Sequence, residues 1–154
     1  MDNVSRKKRR KIMAANKSKN TKPEKLVRSI LYGMGYRFRI HVNLPGTPDI
    51  VLYKYKTIIF VHGCFWHNHT GCSKASLPKT RRKFWRDKFA NNRKREKKNE
   101  KELKEAGWKV VIVWECDLKD EKKLSKRLKG ILDRRLKSLE RNDNDSSKKG
   151  NSGR

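Results

Sequence analysis

Three groups of residues in this sequence have the types and spacing that chemistry needs. The first joins Glu24, Asp49 and His62. Asp49 follows the stiff turn Leu44-Pro45-Gly46-Thr47-Pro48 and opens an apolar run, so its carboxylate should leave from a sheet edge. Magnesium prefers carboxylate oxygens and keeps several waters. One well-placed aspartate and a backbone carbonyl can therefore hold it against a phosphate. Taken alone, Pro48-Asp49 reads as a plain turn. The second group is Cys64, His67, His69, Cys72 and Cys116. Three thiols and one imidazole make up the ligand count of a closed zinc site, although the Cys64–Cys72 gap is wider than a zinc finger uses. The competing reading is three buried thiols beside surface histidines. His67 and His69 stand two apart, so an extended segment would send one to the metal and the other outward. The third group is Phe65, Trp66 and Trp85, with twelve Lys/Arg against three Asp/Glu over residues 79–101. Aromatic rings among cations suit stacking on bases or wedging between them. At helical spacing Phe84, Trp85 and Phe89 also read as a core stripe. Phe84 and Phe89 are assigned to it, and Trp85 stays open.

The elements that must position these residues follow from periodicity and turn chemistry. Thr21 suits an N-cap, Pro23 an early helical position, and Glu24 completes a capping box. Leu26, Val27, Ile30, Leu31 and Met34 then mark one helical face, which Gly33 and Gly35 end. A strand is expected near residues 36–42, then a hairpin of strands over 49–53 and 57–61. Residues 62–79 form an irregular loop, and a long basic helix runs from about Thr80 to Ala106. Lys109–Trp114 is a continuous apolar run of the buried-strand kind. A last helix covers 120–139, with Leu124, Leu128, Ile131 and Leu132 inward. The result is one α/β domain, a mixed sheet flanked by helices, over residues 21–139. Residues 1–20 read as a basic flexible arm and 140–154 as a disordered polar tail.

Charge narrows the partner. The chain of 154 residues carries 43 Lys+Arg against 16 Asp+Glu, a formal net charge of +27. Such a potential attracts a polyanion, and nucleic acid is the usual one. An anionic membrane would need a basic amphipathic helix with a bulky apolar face, which the N-terminal run lacks. No apolar stretch approaches the ~18 residues of a membrane span. The start, MDNVSRKKRR, has no apolar signal segment, so a cytoplasmic protein is expected, nucleoid-associated when bound to DNA. With only 34% hydrophobic residues the core must be economical, and a structural metal would help it.

At these same residues the chain resembles the very-short-patch repair endonucleases. The resemblance runs from about residue 5 to about residue 118. It is carried by TKPE at 21–24, LPGTPD at 44–49, FVHGCFWH at 60–67, Phe84-Trp85, and the stretches Gly107-Trp108 and Val113-Trp114-Glu115-Cys116. It implies a restriction-endonuclease-like core with a structural zinc site. It also implies nicking of one strand next to a T:G mismatch, which arises when 5-methylcytosine deaminates. Carried over by position, Asp49 would hold magnesium with the backbone carbonyl of Val61. His67 would activate the attacking water, and Glu24 and His62 would support the site. Cys64, His69, Cys72 and Cys116 would hold zinc. Phe65, Trp66 and Trp85 would wedge into the duplex. The expected partner is double-stranded DNA with a T:G mismatch, bound by a monomer, with mismatch-repair proteins or a cytosine methyltransferase alongside. Two rival readings remain: an endonuclease for ordinary duplex DNA, and a zinc-stabilised DNA-binding protein without chemistry. The second has no use for Asp49 and Glu24, two acids that repel phosphate unless a cation intervenes.

Overall fold

A computed structural model of the chain describes residues 21–65, 67, 69–72 and 78–149. The basic arm at 1–20, the wedge candidate Trp66 and the last residues, 150–154, lie outside the described residues. The elements run in the order α1 (Lys22–Gly33), β1 (Ile50–Leu52), β2 (Thr57–His62), α2 (Arg82–Glu105), β3 (Lys109–Trp114) and α3 (Glu121–Lys149). A three-residue 3-10 turn at Tyr53–Tyr55 joins β1 to β2, and another at Glu115–Lys119 follows β3. The sheet order is β1-β2-β3, with β1–β2 antiparallel and β2–β3 parallel, so the sheet is mixed as expected.

Strand alternation sorts the core into two faces. Ile50, Leu52, Ile59, Val61, Val111 and Val113 meet Val27 and Leu31 of α1 and Leu124, Leu128 and Leu132 of α3. Each of these fully buried aliphatic side chains contributes roughly 1.5–3 kcal/mol. On the opposite face Val51 and Ile58 pack with Leu103 of α2, and Phe60, Trp108 and Val110 close around them. α1 and α3 therefore cover one side of the sheet and α2 the other. Among the described residues no helix is long and apolar enough to cross a membrane.

Several expectations need correction. Residues 36–42 form no strand. A single bridge pairs Arg39 with Val51 through two 2.9 Å bonds, and His41 turns left-handed at φ 56° and ends the pairing. Tyr36 and Phe38 instead pack into the core. Thr21 caps α1 without a side-chain bond, and Glu24 is buried instead of completing a capping box. Phe84 is not core: it is 44% exposed, with the Arg81 guanidinium 4.4 Å over its ring. Phe89 is buried as expected. α3 continues to Lys149, so much of the stretch read as a polar tail is helical. Residues 140–146 are all exposed.

Candidate active site and metal-ligand cluster

β2 outruns β1 at one end, and that mismatch builds the site. Pairing with β1 stops at Ile50↔Ile59, while β2 continues beside β3 to His62. The Val61 amide thus has no strand partner on the β1 side. The Asp49 carboxylate takes it, with Oδ2 accepting from the Val61 N–H at 2.7 Å. The turn before Asp49 is closed by Thr47 N–H donating to the Leu44 carbonyl at 2.9 Å. A Cβ added at Gly46, where φ is 78°, would stand 3.2 Å from the Phe60 ring, which would have to give by a few tenths of an ångström.

Glu24 reaches the same place from the first turn of α1. Its side chain is only 5% exposed, and among the described residues its Oε2 has no hydrogen-bond partner. The nearest cation is the Arg28 guanidinium, 3.6 Å away. Burial is the largest cause pushing the Asp49 carboxyl up to about 7. The Val61 amide pulls it down, and the Glu24 carboxylate raises it again. Two carboxylates facing each other out of water want a proton or a cation between them. A hard divalent cation fits this donor set.

The other wall of the site is α2. This helix buries only Phe89 and Leu103, and between them its inward line carries Asn92, Glu96 and Asn99. Polar side chains on an inward line cannot pack against the sheet, so a cavity of about 860 Å³ remains. Glu24, Asp49, Val61, His62, His67 and Glu96 all line it. His62 and His67 lie flat on one another, with ring centroids 3.8 Å apart and planes within 5°. Burial holds the His62 imidazole down at about 4, and the His67 ring adds to this, so His62 is neutral near pH 7. His67 Nδ1 is bonded to the Glu96 carboxylate. Glu96 was missed from the sequence, where one acid in a run of cations looks like ordinary helix surface.

Behind the histidines lies the second cluster. The donor atoms of Cys64, His69, Cys72 and Cys116 all lie within 4.8 Å of one another. Tetrahedral ligands on bonds of ~2.0–2.3 Å sit somewhat closer than that, so a small contraction would close the site. Cys116 is delivered by the 3-10 turn after β3, where Asp117 Oδ2 accepts the Trp114 N–H at 2.9 Å. Burial pushes the Cys64 thiol up to about 12. Trp114 joins the two clusters. The His69 ring stacks on it at 4.0 Å, and it meets His62 edge-on at 5.3 Å and His67 edge-on at 6.3 Å. The structure thus brings together the residues that the sequence grouped, and the histidine beside the thiols is His69.

Phe65 and Trp85 meet edge to face at 5.5 Å, and Phe89 backs both. Phe84 adjoins Trp85 at 5.3 Å. The aromatic group therefore has a buried root, Phe89, and an exposed tip, Phe84, that sequence reasoning assigned to the core.

The family described as DNA mismatch endonuclease Vsr matches residues 1–74. The chain is 50% identical to the Type II nicking enzyme V.XorIIP of Xanthomonas oryzae pv. oryzae, over 86% of this chain and 97% of that one. It is 46% identical to the Type II nicking enzyme V.NmeAIP of Neisseria meningitidis, over 81% and 89%. It is 43% identical to the DNA mismatch endonuclease Vsr of Escherichia coli, over 76% and 75%.

Proposed function

Because the chain belongs to the Vsr family of DNA mismatch endonucleases, we propose that it nicks one strand of duplex DNA beside a T:G mismatch and so starts very-short-patch repair. The observation that supports this most is the single cavity that gathers Glu24, Asp49, His62 and His67 from separate stretches of chain. On this reading the mixed sheet with Asp49 at a strand end is a restriction-endonuclease-like core. Asp49 and the Val61 carbonyl would hold magnesium, since a strand residue sends its N–H and C=O to the same edge. Bound there, the cation would neutralise charge building on the phosphate. Glu24 completes the acidic pocket, and neutral His62 braces the His67 ring. Glu96 fixes Nδ1 of His67, so that Nε2 is left to take a proton from the attacking water. The water oxygen bonds to phosphorus, one P–O bond of the strand breaks, and the released oxygen acquires a proton.

Phe65, Trp66 and Trp85 wedge beside the mismatch, where a T:G pair unstacks more cheaply than a Watson–Crick pair. The four-ligand cluster holds zinc and mounts the loop that carries His67. Cys116→Ser is expected to lose bound zinc, by elemental analysis, and to lower the melting temperature. A full complement of zinc at parental melting would remove Cys116 from the ligand set. The activity is tested with labelled duplexes that differ only in one T:G or T:A pair, in several flanking sequences. Nicking confined to T:G duplexes is the expected result. Equal cleavage of both would make the protein an endonuclease for ordinary duplex DNA.

A further inference from the structure

Arg28 lies one helical turn after Glu24 on α1, and no residue of the reaction scheme above accounts for it. We propose that Arg28 is a positioning residue for strand cleavage, clamping the Asp49 main chain so that its carboxylate faces the phosphate. Its Nη2 donates to the Asp49 carbonyl at 3.0 Å and its Nε to the same oxygen at 3.3 Å. That carbonyl stands just before β1, where strand pairing has ended. The Val61 amide fixes the other end of the residue, at the carboxylate. Asp49 is thus held at both ends, and a fixed peptide plane on one side sets the direction of its side chain.

A further contact runs from Nη2 to Glu24 at 3.6 Å, and it couples the two acids to one cation. An exposed i,i+4 pair would do little. This pair is not exposed: the Arg28 side chain is 12% and the Glu24 side chain 5% accessible. Two bonds of the guanidinium also leave its own helix for the Asp49 main chain. A lysine cannot reproduce them, because one ammonium cannot span the fork that Nε and Nη2 make. The consequence is kinetic rather than adhesive. Binding of the duplex uses other surfaces, whereas cleavage needs Asp49 aligned.

The proposal rests on the reading of Asp49 given above, and its test separates the two. The full-length protein is assayed on a T:G duplex under single turnover at saturating protein, with duplex affinity measured without divalent cation. Arg28→Ala should nick about 10- to 100-fold more slowly, the scale of a small misalignment. Its duplex affinity should be unchanged, and millimolar methylguanidinium should restore part of the rate. Arg28→Lys should also be slow, but without rescue, because its side chain fills the vacated space. Parental rates in both variants overturn the proposal. So does a loss in Arg28→Ala that methylguanidinium leaves untouched. If Arg28→Ala melts below the assay temperature, Arg28→Lys decides alone: a parental rate overturns the clamp, and a slowed rate at unchanged melting and affinity supports it. Asp49→Asn is run alongside. Should it nick at the parental rate, the reading of Asp49 falls. An inactive Asp49→Asn beside fully active Arg28 variants removes only the clamp.

Discussion

Asp49→Asn is expected to abolish magnesium-dependent nicking while the protein stays folded and binds duplex DNA. The loss should exceed the ~10²–10³-fold typical of one missing electrostatic contact, because the anionic oxygen for the cation is removed. The amide can still accept the Val61 N–H through its oxygen, so the strand end need not rearrange. Stability supplies a second readout. The Asp49 carboxyl is raised from 3.8 to about 7 in the folded chain, chiefly by burial. Its folded pKa thus lies above the unfolded one, and between the two values the folded state holds the extra proton. Stability should therefore fall as pH rises from about 4 to about 7, since ionising Asp49 costs more in the folded chain. In Asp49→Asn that contribution to the slope should vanish, leaving the metal-free variant more stable than the parent above pH 7. Magnesium should raise the melting temperature of the parent there, and leave the variant alone. Full nicking by the variant, or an equal magnesium shift in both proteins, would sink the assignment.

The parts legible in the sequence are those where local pattern and global role agree. Lys109–Trp114 reads as a strand and is one, with Val111 and Val113 buried on one face and Val110 and Ile112 half-buried on the other. The 3.6-residue stripe of α1 has the same transparency. Residues 36–42 alternate like a strand, but the alternation serves Tyr36 and Phe38, which enter the core from a loop. Only Arg39 finds a strand partner, so pattern without backbone partners misled. Glu96 was hidden by its surroundings, since nearby cations make any acid look like a surface counter-charge. A signal was available: Asn92, Glu96 and Asn99 fall on the helical line between Phe89 and Leu103, where apolar residues belong. A polar break in an inward stripe marks a cavity wall. Arg28 was concealed for a related reason, because its partner is a backbone carbonyl and such partners leave no trace in side-chain patterning. The structure brings the residues of each group together, and the motif 60–67 joins the groups, with His62 and His67 on the cavity and Cys64 beside His69, Cys72 and Cys116.

His67→Ala should cut single-turnover nicking by roughly the 10²–10⁴-fold typical of a lost general base, with T:G preference and affinity retained. His67 lines the cavity with Asp49, whereas Phe65, Trp85 and Phe89 do not line it. Recognition and proton transfer should therefore separate, although Trp66 and His67 are neighbours in sequence. Trp66→Ala is expected to lose about 1–3 kcal/mol of stacking-derived binding and much of its mismatch preference. Saturating protein is needed in the comparison, so that weak binding is not mistaken for slow chemistry. Raising the pH should partly restore His67→Ala, because hydroxide can replace the missing base. Glu96→Gln should cost less, about 10- to 100-fold, since it acts only by orienting the ring. Its amide oxygen can still accept from Nδ1–H, but without the charge that steadies the imidazolium once the proton has moved. The two substitutions together should cost little more than His67→Ala alone, because Glu96 has nothing left to orient. A double variant showing the full product of the two losses would give Glu96 a separate role, such as metal binding with His62. Zinc is the remaining control. His67→Ala should keep it, since His69 stands with the thiols and His67 does not. Loss of zinc from His67→Ala would mean that the two histidines have exchanged roles.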